Sequence, residues 1–174
     1  MKLANSPAML TMFGKIEANI LAGGRFATPY REACDQFNND ARLAWLISAT
    51  GKIADTMAKH EPLLHTASIA FAWLETCCGN PADALVLVSD ERLRQQRLFA
   101  EGKIYFSVAS PVPNADRKLR VLVEEIGEVA EAIDRLEGKH TFKVLQRRVV
   151  HLRTELVQVA AVCVAWLESL EVQS

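Results

Sequence analysis

The chain has 174 residues, half of them apolar, with 20 basic and 21 acidic side chains. That composition can bury a full core, and the near-cancelled charge excludes both the basic field of a nucleic-acid binder and the acidic excess of a disordered tail. Cys34, Cys77, Cys78 and Cys163 lack the CxxC spacing of a zinc site and the paired spacing of a disulfide framework, and read as buried reduced thiols of a cytoplasmic protein.

Glycine and proline are scarce and apolar residues recur at helical spacing, which predicts six helices. The first covers 6–21 and stops at Gly23-Gly24. Lys15 and Glu17 interrupt its apolar residues, so it makes a poor signal peptide. A second helix runs from Tyr30 or Asn39 to Lys59. A third begins at Pro62 and ends near Gly79. A fourth takes Asn80 as its cap and Pro81 as its first residue, and ends at Ala100 before Gly102. Residues 103–108, followed by Pro111 and Pro113, read as a short extended arm. The fifth helix spans 116–137 and the sixth 141–170, with a break expected near 147–153. The most apolar run, 156–167, falls short of the ~20 residues needed to cross a bilayer, so no membrane partner is expected.

The two halves share three anchors in one order. Gly24-Arg25-Phe26 parallels Gly102-Lys103-Ile104, Gly51-Lys52-Ile53-Ala54 parallels Gly127-Glu128-Val129-Ala130, and Ala72-Trp73-Leu74-Glu75 recurs as Ala165-Trp166-Leu167-Glu168. The expected architecture is an all-α bundle of two helical-hairpin repeats related by a pseudo-twofold axis. Residues 1–80 form one repeat and 81–174 the other. In the first, Ser48, Ala49, Lys52, Pro62 and His65 stand where the second has Glu124, Glu125, Glu128, Glu155 and Gln158. The first copy then reads as a scaffold that keeps its packing residues and replaces a partner subunit.

Glu124, Glu125 and Glu128 lie three and four residues apart, along one side of the fifth helix beside the apolar stripe Leu119, Leu122, Ile126, Val129, Ile133 and Leu136. Glu155 and Gln158 lie one turn apart at the edge of a helix that is apolar on every other face. Such a helix is buried, and a buried carboxylate needs a partner. Mg²⁺ takes oxygen ligands and shares substrate phosphates, so the three or four carboxylates point to a divalent-ion site; solvated surface acids are the competing reading. His60, His65, His140 and His151 show no HxxxH or HxH spacing and are not expected to bind metal.

Glu124-Glu125-Ile126-Gly127-Glu128, then Glu155-Leu156-Val157-Gln158 after residues 129 to 154, resembles the EExxE and ExxD motifs of the MazG-like nucleotide pyrophosphohydrolases. The resemblance covers about residues 91 to 171, departing at Gln158, where the family has aspartate. It implies hydrolysis of a nucleoside triphosphate to monophosphate and pyrophosphate with Mg²⁺, or Mn²⁺ in its place, and with Glu124, Glu125, Glu128 and Glu155 as metal-binding and catalytic residues. Gln158, Lys103, Lys118, Arg148 and Tyr105 are the expected substrate contacts, with Arg147 and Arg153 as further phosphate partners. It also implies dimers or higher assemblies, here a homodimer of pseudo-dimers or a single chain whose fused first copy closes its own bundle. Loss of the aspartate leaves open a non-catalytic bundle that binds nucleotide or protein.

Overall fold

A computed structural model describes residues 7–21, 39–56, 59–78, 81–110, 115–137 and 140–171. The chain is all-α: these residues form six helices and, among the described residues, no strand. The helices are α1 (Pro7–Leu21), α2 (Asn39–Asp55), α3 (His60–Cys78), α4 (Pro81–Ala100), α5 (Ala115–Asp134) and α6 (Phe142–Glu171). Gly23-Gly24, Asn80, Gly138 and Cys34 lie outside the described residues, as does the stretch from Tyr30 to Asn38 proposed for the second helix.

Local chemistry accounts for the ends of α4. Pro81 supplies a preset first-turn φ, Asp83 sits in the first turn and Arg97 in the last, each matched to the helix dipole. At the other end Gly102 takes a left-handed φ of 67°; its N–H donates to the Phe99 carbonyl at 3.0 Å, and the Lys103 N–H to the Leu98 carbonyl at 2.9 Å. This is a Schellman cap, and a side chain at 102 would strain it. Residues 103–108 continue as irregular backbone and turns.

The expected break in the last helix is absent: α6 runs unbroken for 30 residues. Its charged stretch contains Arg, Leu and Val but no Gly or Pro, and charge alone does not interrupt a helix. Its best membrane-length window is 67% buried inside the fold, as befits a bundle's core helix.

α2 packs on α3 and α5 on α6; the pairs meet where α3 runs along α6 and α2 along α5. α1 and α4 each pack on both α3 and α6. Trp73 and Trp166 are 0% and 1% exposed in the shared core. α4 is pinned by a buried ion pair, Arg92 Nη2 donating to Glu168 Oε2 at 2.8 Å, while Arg92 Nη1 donates to Gln95 Oε1. Lys118 Nζ donates to the Ser110 carbonyl at 2.9 Å and to Ser169 Oγ at 2.6 Å, tying the segment after α4 to the end of α6. Burial pushes the Lys118 ammonium down to about 8. Cys77, Cys78 and Cys163 are free thiols, and burial pushes Cys163 up to about 12.

Candidate functional site

Side chains three apart on α5 project from one side, which puts Glu125 and Glu128 next to each other. α6 packs alongside and brings Glu155 to them; one carboxylate oxygen from each of the three lies within 4.8 Å of the others. Glu155 is buried, Glu125 partly buried and Glu128 exposed. The cluster is therefore rooted in the α5/α6 interface and open on one side.

Two groups hold the Glu155 carboxylate: His151 Nδ1 lies 3.0 Å from Oε1 and Gln158 Nε2 donates to Oε2 at 2.7 Å, while the Glu128 carboxyl lies against it. Burial first, then the Glu128 contact, pushes Glu155 up from the usual carboxylate range, with His151 and Gln158 pulling the other way. Burial first, then the charges of Glu128, Glu155, Glu124 and Glu91, pushes Glu125 up to about 7. Glu125 Oε2 is shut off from solvent and accepts no hydrogen bond. An orphaned buried acceptor costs about 1–3 kcal/mol, and a cation between these oxygens would offset both that cost and the mutual repulsion.

His151 belongs to the site although its spacing with the other histidines gave no sign of it. Arg135 Nη1 lies 2.8 Å from His151 Nε2. A guanidinium only donates, so Nε2 accepts and Nδ1 carries the hydrogen toward Glu155. Arg135 also pairs with Glu131 at 2.5 Å. A chain of contacts thus runs from Glu131 through Arg135 and His151 to Glu155. The four-residue step from His151 to Glu155 on α6 was the readable signal.

Gln158 is explained by what it does: its amide donates to Glu155, where an aspartate would add a repelling charge. Gln158→Asp is expected to lower the melting temperature without metal and to tighten Mg²⁺ binding about tenfold, or about 1.4 kcal/mol. Titration calorimetry checks this; unchanged affinity would place position 158 out of reach of the ion.

The remaining expected residues lie elsewhere. Glu124 is exposed and stands outside the three-carboxylate group, although its charge acts on Glu125. Lys118, expected to meet substrate, is 3% exposed and occupied by Ser110 and Ser169. Lys103 pairs with Glu101 at 2.8 Å, and Tyr105 is 96% exposed. Arg148 donates to the Arg135 carbonyl and lies 2.6 Å from His140 Nε2. Arg147 is exposed on α6.

Beside the acids lies a cleft of about 530 Å³, walled by Asp90, Glu91, Arg94 and Arg97 of α4 and by Arg153 and Gln158 of α6. It adjoins the cluster because Gln158 is bonded to Glu155 and the charges of Glu91 and Arg94 reach Glu125. Arg94 grips Glu91 with Nε and Nη2 at 2.6 and 2.7 Å. Of these arginines, only Arg153 was among the phosphate partners expected from the sequence, because nothing local links α4 to the acids.

Ser48, Ala49, Lys52, Pro62 and His65, which the expected repeat aligns with the acids, include no carboxylate; burial, then the Lys52 charge, pushes His65 down to about 4. A neutral imidazole near a lysine offers no seat for a hard cation. No family model matches the chain, and no curated protein or solved structure matches it.

Proposed function

We propose that this chain is a MazG-like, Mg²⁺-dependent nucleoside triphosphate pyrophosphohydrolase. The observation that carries the reading is the convergence of Glu125, Glu128 and Glu155 from two helices, with the Glu125 Oε2 oxygen buried and unpartnered. Three carboxylates fit Mg²⁺, or Mn²⁺, which keeps waters and takes phosphate oxygens as its other ligands. Bound there, the ion would neutralise phosphate charge and lower the pKa of a coordinated water. Water adds to phosphorus and the bond between the α- and β-phosphates breaks, so one triphosphate and one water give a monophosphate and pyrophosphate.

The protein's own contribution is positional. His151, set by Arg135, and Gln158 together orient Glu155. Glu125 and Glu128 follow from the helix repeat, and the cleft between α4 and α6 gives a substrate room to approach. The two-repeat reading is supported by the pairing of α2 with α3 and α5 with α6, by the contacts of α3 with α6 and α2 with α5, and by the matched burial of Trp73 and Trp166. On this reading the protein is cytoplasmic, and two chains assemble as a dimer of pseudo-dimers, which light scattering checks.

The test is pyrophosphate release from a panel of standard and modified NTPs and dNTPs with Mg²⁺. Turnover is expected, with Glu128→Gln slowing it at least about a hundredfold, as for loss of a main electrostatic group. No turnover with any nucleotide, combined with a melting temperature indifferent to Mg²⁺, would reject the reading. Nucleotide binding without product would instead favour a non-catalytic nucleotide-binding bundle, as the departure at Gln158 allows.

A further inference from the structure

The cleft between α4 and α6 gathers three guanidinium groups from two helices, Arg94 and Arg97 on α4 and Arg153 on α6. Among the described residues, neither Arg97 nor Arg153 has a side-chain hydrogen bond or ion pair. Arg94 is committed to Glu91 through two donors, which neutralises that acid and leaves the rest of the Arg94 fork available. Asp90, exposed on the cleft wall, is the remaining acid there.

Single exposed arginines are worth little, but several lining one concave surface focus their field on whatever enters. Guanidinium forks match phosphate oxygens in pairs, and a linear polyphosphate offers such oxygens in succession. A single carboxylate would engage one fork and leave the others unmatched. Gln158, whose amide holds Glu155 of the acidic cluster, also lines the cleft. A chain of phosphates held by the arginines would therefore lie beside the carboxylates.

We propose that the cleft is a polyphosphate seat, in which Arg97 and Arg153 bind the triphosphate chain directly, without help from a divalent ion. That the chain belongs to a nucleotide substrate rests on the function proposed above; binding of the polyphosphate itself does not.

The experiment titrates inorganic tripolyphosphate into the full chain in EDTA at low salt, followed by calorimetry. Saturable binding is expected, with Arg97→Gln and Arg153→Gln each weakening it about tenfold while melting as the native chain does. Arg120→Gln, an exposed arginine of α5 outside the cleft, is expected to bind as the native chain does. ATP is expected to displace the tripolyphosphate and AMP to leave it bound. No saturable binding, native affinity in the Arg97 and Arg153 variants, or an equal loss in the Arg120 variant would overturn the seat. Failure of ATP to compete would overturn its use by nucleotides. With EDTA present, the result does not depend on the metal site. Pyrophosphate release that persists without tripolyphosphate binding would therefore defeat this inference alone.

Discussion

Glu125→Gln is expected to make the metal-free protein more stable at pH 8, while abolishing the stabilisation that Mg²⁺ gives and cutting turnover at least about a hundredfold. The folded chain holds Glu125 near 7, against an ordinary 4.5, because burial and the surrounding acids disfavour its charge. Below pH 4.5 the group is protonated whether the chain is folded or not, and it sets no penalty. Between 4.5 and about 7 the unfolded chain gives up its proton first, so stability falls as pH rises. Above about 7 the penalty is constant. At about 1.4 kcal/mol per pH unit its upper bound is about 3.5 kcal/mol, and partial exposure reduces it. Glutamine carries no charge and removes the slope. Mg²⁺ acts in the opposite sense on the native chain: it competes with the proton, so its stabilising effect is expected to be larger at pH 8 than at pH 5.5. Thermal melts from pH 4 to 9, with and without Mg²⁺, measure both effects. Identical metal-free pH profiles for native and variant chains would mean that Glu125 is solvated and the carboxylates do not converge.

Arg92→Ala is expected to cost about 3–5 kcal/mol, because it strands Glu168 in the core without a partner. The two side chains are 1% and 8% exposed and meet at 2.8 Å. Arg92→Met combined with Glu168→Leu is expected to recover most of the loss, since an apolar pair avoids the desolvation cost. Denaturant unfolding of the two singles and the double closes the cycle. A loss below about 1 kcal/mol for the single would show that water reaches the pair. The consequence extends to the site, because Arg92 lies between Glu91 and the arginines of the cleft. Loosening α4 is expected to weaken ligand binding at that cleft even when the chain remains folded.

Much of the local architecture was legible residue by residue. Pro81 and Gly102 mark the two ends of α4, since one residue presets φ and the other tolerates a positive φ. Leu122, Ile126, Val129 and Ile133 announce the inner face of α5. Lys118 sits on that same face, four residues before Leu122, so its period already pointed inward; its charge suggested a phosphate contact, but the structure gives it Ser110 and Ser169. The unbroken α6 was obscured by clustered arginines and a histidine, which interrupt hydropathy without interrupting the backbone.

The sequence by itself determined an all-helical chain and the faces on which Glu125, Glu128 and Glu155 lie, because helix formation and side-chain direction follow from spacing within a few residues. Only the tertiary structure decided that α6 brings Glu155 to the α5 acids, that Gln158 and His151 hold it, and that Arg94, Arg97 and Arg153 share a cleft beside them. Those relations join helices far apart in the chain through the packing of α3, α4 and α5 against α6, and no local period encodes which helix lies beside which.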